Sequence, residues 1–166
     1  PMHLPYSCPS PLRFLLLLAV LQAPFCWSQQ DEEAAVIAVV ARYFETMGQR
    51  DAEGMRAILT TEGMFHGKYA DDPSAPTILM PHGPYLERLA RDTVELKERF
   101  WDPVVNIDGP IATLTTPYDF CVGRKLKHCG IDHFTLVREA DGWKISGGVF
   151  SMQRTGCPES PLGPAY

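Results

Sequence analysis

Long apolar runs are missing from these 166 residues: the stretch Phe14–Leu21 holds eight side chains, and none is longer. Eight residues rise only about 12 Å as a helix against about 30 Å of bilayer hydrocarbon, so no stable membrane-spanning helix is expected. Positive charge is scarce as well. Lys and Arg number 15 against 20 Asp and Glu, for a formal net charge of −5, and phosphate recognition needs a Lys/Arg surplus or cluster, so nucleic acid is not an expected partner. No internal repeat or low-complexity stretch occurs. Cys and His do not stand at zinc-site spacing, and neither a metal nor a cofactor is expected. What is present is globular: 45% hydrophobic and 21% charged residues, in a length that suits one hydrophobic core.

The Phe14–Leu21 run follows Arg13 and precedes Gln22, Ala23, Pro24, Phe25, Cys26, Trp27 and Ser28. A positive residue, a short apolar segment and a small residue downstream have the shape of a secretory signal peptide. Residues 1–28 are read as that signal, cut after Ser28, and the product as secreted or periplasmic, with no membrane insertion after the cut. Two other readings stay open. Cys26 and Trp27 are poor residues before a cut, which leaves an uncleaved anchor, and Cys26 suggests lipidation, which bulky Pro24 and Phe25 disfavour. The remainder divides into one domain over 29–157 and a tail over 158–166.

Cys121, Cys129 and Cys157 follow the leader. In an oxidising compartment one pair is expected, with one thiol left over. Cys129 with Cys157 would pin the tail to a strand, and Cys121 with Cys129 would cross a hairpin. Three reduced cysteines remain a further alternative.

Val36, Ile37, Val40, Tyr43, Phe44 and Met47 recur every three or four residues, with Asp31, Glu32 and Glu33 ahead of them and Gly48 behind. This predicts an amphipathic helix over 31–47, acidic at its positive end. Asp51 is placed to cap a shorter helix to Leu59, and a Glu62-Gly63 turn then releases a strand over 64–69. Pro73, Pro76 and Pro81 predict a loop over 70–83. Gly83-Pro84 starts a third helix carrying Leu86, Leu89, Val94 and Leu96 towards Phe100. Beyond it the apolar period is two, which predicts strands over 101–107, 111–122, 126–137 and 143–152, with turns at Asp108-Gly109, Gly123 and Asp141-Gly142. Helices followed by a run of antiparallel strands make an α+β fold. A strongly curved antiparallel sheet wrapped around the N-terminal helices would form a cone, with its mouth as the expected site for a small molecule.

Val39-Val40-Ala41-Arg42-Tyr43 leading to Asp51, and Ile131-Asp132-His133-Phe134 on a late strand, resemble the nuclear transport factor 2-like superfamily with its cystatin-like roll. His128-Cys129-Gly130 through Phe134, Leu136, Gly142-Trp143-Lys144-Ile145 and the trailing Cys157 are more closely similar to secreted SnoaL-like and lumazine-binding-type members. The likeness covers about residues 31–157. It implies a pocket for an aromatic or polycyclic ligand, and a homodimer through the outer face of the sheet. The more distant likeness to ketosteroid isomerase implies catalytic roles for Tyr43 and Asp132 as donors to a developing enolate, a system familiar as an example of a neutral carboxylic acid in an oxyanion hole. The general base of that family falls on Gly67 here. His66 is its neighbour, with a suitable pKa, but strand alternation turns adjacent side chains to opposite faces.

Tyr118, Phe120, Phe134 and Leu136 share the even-numbered face with Asp132, and an acid in such company must be paired or protonated. Tyr118, Phe120, Phe134 and His82 are the expected ligand contacts. Asp119 and His133, on the odd face, are expected to meet solvent or a partner subunit. Simpler readings stand beside these: Tyr43 as a core residue with its hydroxyl at a polar edge, and Asp132 in a structural hydrogen bond. Three functions follow: a module that binds a small hydrophobic or aromatic molecule, a cofactor-independent isomerase, dehydratase or hydrolase, and a dimerising protein-association domain.

Overall fold

A computed structural model describes residues 28–166; the segment read as a signal peptide, apart from Ser28, lies outside the described residues. The first helix, α1, spans Gln29–Gln49 and opens with a capping box. Ser28 Oγ accepts from the Asp31 amide at 3.2 Å, and the Asp31 carboxylate accepts from the Ser28 amide at 3.1 Å, satisfying two amides that the first turn leaves without intrahelical partners. Its apolar stripe buries Val36, Val40, Tyr43, Phe44 and Met47. Arg50 ends it at a φ of +60°, which turns the chain sharply, and the Arg50 guanidinium donates to the Val94 carbonyl. None of the described helices is long and apolar enough to cross a membrane.

Asp51 caps α2, its Oδ1 accepting from the Gly54 amide at 2.8 Å, but this helix covers only Ala52–Arg56. The strand β1 then runs over Leu59–Tyr69, so the predicted Glu62-Gly63 turn lies inside a strand. An irregularity in pairing between Leu59 and Met64 absorbs it. The proline-rich segment is not loop throughout, because β2, Ile78–Pro81, pairs with β1. The helix α3 spans His82–Arg91 with Pro81 at its N-cap, and it stops well short of Phe100. Leu96, Glu98 and Phe100 alternate with Lys97 and Arg99, and this period of two wins: Leu96–Phe100 is the strand β3. Asp102, at a φ of +47°, and Pro103 break the strand predicted over 101–107, which resumes as β4 over Val104–Asp108.

The remaining strands are β5, Ile111–Val122, β6, Lys125–Glu139, and β7, Gly142–Met152. The order across the curved sheet is β2-β1-β7-β6-β5-β3, with β4 also on β5. All pairs are antiparallel except β1 with β7, which is parallel. Leu136 faces Ile145 and Thr135 faces Gly147, so Ser146 is an extra residue in β7. Such a bulge shifts which side chains point inward: Trp143 and Ile145 before it, Phe150 and Met152 after it. The core lies between α1, α3 and the concave side of the sheet, where Phe44, Phe65, Leu114, Phe134, Leu136 and Ile145 pack.

Of the possible cysteine pairings the structure forms Cys129–Cys157, with Cα atoms 5.8 Å apart, and leaves Cys121 free and buried. The residues beyond the bridge are held against the sheet. Lys97 donates to the Ala165 carbonyl at 2.5 Å, Arg99 to Pro164 at 3.2 Å, and the Tyr166 hydroxyl to Glu95 at 3.1 Å. Asp119 is therefore not open to solvent: it is 7% exposed, lies under this tail, and accepts from two nitrogens of Arg99 at 2.9 and 2.5 Å.

Candidate ligand cavity

The concave sheet, α1 and α3 surround a partly open cavity of about 350 Å³. Its wall is mainly apolar, with Phe65, Met80, Leu89, Phe134, Phe150 and Met152 among its side chains. Polar groups are few: Tyr43 from α1, Tyr85 from α3, Glu98 from β3, and His128 and Asp132 from β6, with Arg50, Arg88 and Asp92 towards the opening.

Asp132 projects inward between cross-strand neighbours Thr116 and Phe150. It is 6% exposed, and its Oδ2 is buried with no hydrogen-bond partner among the described residues. Burial pushes its carboxyl well above the ordinary carboxylate range. Glu98 is raised too, first by burial and then by the negative charges of Asp132 and Asp119. Two carboxyls in one apolar cavity oppose each other's ionisation, which favours a shared state with one neutral acid. A neutral carboxyl is a hydrogen-bond donor, which an ionised one is not.

Tyr43 sits at the centre of an aromatic cluster, stacked on Tyr85 with ring centroids 6.2 Å apart and edge-on to Phe134 at 5.5 Å. Burial is the main force raising its phenol and pushes Tyr85 up to about 12. The Tyr85 hydroxyl is buried with no hydrogen-bond partner among the described residues. Both phenols are therefore un-ionised donors. On the neighbouring strand pair, Tyr118 donates to the Ser151 carbonyl at 2.7 Å, and its oxygen lies 3.0 Å from His128 Nδ1. The His128 ring stacks on Phe120 at 4.9 Å, and burial lowers its pKa to about 4.

The residues singled out from the sequence thus divide. Tyr43, Asp132, Phe120 and Phe134 line the cavity together. His66 does not: it is exposed, because β1 turns Phe65 and Gly67 inward and His66 outward. A base at position 67 has no room either, since a Cβ there would stand 2.6 Å from Phe150 Cζ. Tyr118 is buried behind the wall and reaches it only through His128. His82 is the first residue of α3, not part of a loop, and lies outside the lining. It is 2% exposed, donates from Nδ1 to the Thr60 carbonyl at 2.9 Å, packs 5.2 Å from Phe65, and burial lowers its pKa. Glu98, Tyr85 and His128 are polar lining residues that the sequence reading did not select. The alternation of Leu96, Glu98 and Phe100 is the signal that places Glu98 on the inner face. Among the described residues no three His, Cys, Asp or Glu side chains gather closely enough to hold a metal ion.

The family model described as "Putative lumazine-binding" matches residues 31–151. No curated protein matches the chain. Solved structures share its fold at low identity. A protein of unknown function from Mycobacterium tuberculosis is 19% identical with a TM-score of 0.62, over 83% of this chain and 78% of its own. One from Streptomyces avermitilis, described as a "putative dehydratase" of the nuclear transport factor 2-like family, is 16% identical with a TM-score of 0.61, over 75% of this chain and 98% of its own. A nuclear transport factor 2-like protein with a cystatin-like fold from Novosphingobium aromaticivorans is 12% identical with a TM-score of 0.62, over 77% and 86%.

Proposed function

The chain belongs to this lumazine-binding-type family of the nuclear transport factor 2-like superfamily, and from that premise we propose that it binds a small aromatic or polycyclic molecule between α1, α3 and the sheet. One observation carries the reading: a partly open, mainly apolar hollow with a few convergent polar groups, the usual character of a small-molecule site. Calorimetric titration with lumazine and with 1-naphthol tests it. One-to-one saturation, weakened tenfold or more by the cavity-narrowing variant Met80→Trp, is the expected result. No binding of either compound up to about 1 mM, a binding free energy of only about −4 kcal/mol, rejects it.

A catalytic use of the same cavity is favoured by the company of Tyr43, Asp132 and Glu98 in its wall. In this reading the ionised member of the Glu98–Asp132 pair takes the α-proton of a bound enolisable ketone, while the neutral member and Tyr43 donate to the oxygen that becomes negative. Asp132→Asn or Tyr43→Phe should then slow isomerisation of a β,γ-unsaturated cyclic ketone tenfold or more, and unchanged rates in both remove this reading.

Export and dimerisation belong to the same proposal. The disulfide Cys129–Cys157 suits an oxidising compartment, and the mass of the exported product tests cleavage at Ser28. Ile131 and Val149 are exposed on the convex side of the sheet, and sedimentation of the Ile131→Lys variant tests whether that face joins two copies.

A further inference from the structure

Resting on the binding reading, we propose that His128 Nε2 is a neutral, acceptor-only hydrogen-bonding atom of the cavity, and that it selects ligands carrying a phenolic O–H or a ring N–H. The assignment follows from counting hydrogens. Tyr118 has a single hydroxyl hydrogen, and the Ser151 carbonyl, 2.7 Å away, can only accept it. The Tyr118 oxygen therefore presents a lone pair to His128 Nδ1 at 3.0 Å, and a second lone pair on Nδ1 would repel it. Nδ1 must carry a hydrogen. A neutral imidazole has one N–H, so Nε2 is left bare.

The half-buried ring is neutral because desolvation pushes its pKa down to about 4. Its orientation is held from two sides, by stacking on Phe120 and by the edge-on ring of Tyr118 at 5.7 Å. Among the described residues Nε2 makes no hydrogen bond. It is also not among the sealed, partnerless atoms, unlike the Nε2 of His82. It is the atom of the ring left for a guest. The other polar side chains deeper in the lining are the phenols of Tyr43 and Tyr85 and the carboxyls of Glu98 and Asp132. Phenols and a neutral carboxyl offer hydrogens as well as lone pairs, and an ionised carboxyl accepts but repels anions, so among these groups His128 Nε2 is the one that is neutral and can only accept. A guest that satisfies His128 must bring a hydrogen of its own, so its neutral form is preferred to its anion, and an ether of the same shape leaves Nε2 unpaired.

Two measurements test this, one of them independent of any ligand. Long-range proton–nitrogen correlation spectra of the nitrogen-15-labelled protein should show His128 protonated on Nδ1 and bare on Nε2, and Tyr118→Phe should shift the ring towards the other tautomer. 1-Naphthol should bind at least tenfold more tightly than 1-methoxynaphthalene, and His128→Phe should abolish that preference. Should His128→Phe fail to fold, the wild-type comparison and Tyr118→Phe still decide. A wild-type ring protonated on Nε2, or equal affinity for the two compounds, overturns the role of His128 and leaves the binding reading standing. Failure of lumazine and of both naphthalenes to bind overturns the two together.

Discussion

Phe150 occupies the space that a side chain at Gly67 would need: a Cβ there would stand 2.6 Å from Phe150 Cζ and 3.2 Å from Met152 Cε. The two residues face each other across the parallel β1–β7 pair. Gly67→Asp should therefore destabilise the fold by about 3 kcal/mol or more, through overpacking and an unpaired buried carboxyl. The double variant Gly67→Asp/Phe150→Ala should recover part of that loss. Urea midpoints of the two singles and the double check the coupling, and strict additivity would show that the two residues do not compete for one space.

The buried carboxyls make stability depend on pH with a definite sign. The folded pKa of Asp132 and that of Glu98 lie above their ordinary values of 3.8 and 4.5. Their contribution is complete below those values and is lost as pH rises through the folded ones. The Asp132→Asn/Glu98→Gln variant should thus gain on the wild type between about pH 4 and pH 8, by about 1 kcal/mol or more. His128 acts in the opposite direction, because burial lowers its pKa from 6.5 to about 4, so stability is lost as pH falls across that interval. Urea denaturation of wild type, double carboxyl variant and His128→Phe across the range separates the two effects.

Reduction of the disulfide should loosen more than one bond. The bridge closes a sequence separation of 28 residues, for which chain entropy gives a stabilisation of about 3–4 kcal/mol. Cys157→Ser should lose about that amount in urea denaturation. Faster hydrogen exchange at residues 158–166 should accompany it, since the bridge is what brings the tail to Lys97 and Arg99.

Ser28 carries a capping box whose loss should cost about 1 kcal/mol. A product cut after Ser28 would lose that cap and would place a new amino group at the positive end of α1. Chains beginning at Ser28 and at Gln29 should differ in melting temperature by several degrees, the longer being the more stable.

The architecture and half of the cavity were legible in the chain because their signals are local. The three-to-four-residue spacing of Val36, Val40, Tyr43 and Met47 defines α1, and even numbering places Asp132 with Phe134 on one side of β6. What was not legible depends on partners far along the sequence. Glu98 is flanked by Lys97 and Arg99, so Leu96 and Phe100 read equally as the end of a helix until β5 is seen to pair with them. Tyr118 shares the parity of Phe120, yet its hydroxyl is drawn to Ser151 on β7. His82 stands among prolines, but the space opposite Gly63 admits its ring beneath β1.

The extra residue at Ser146 divides β7 into two segments that present opposite parities to the interior. Deleting that single residue would leave the strand's composition almost untouched and yet rotate Phe150 and Met152 out to water, opening one wall of the guest chamber. Homologues that differ here by one insertion or deletion should therefore differ in what they can hold, even when every lining side chain is the same.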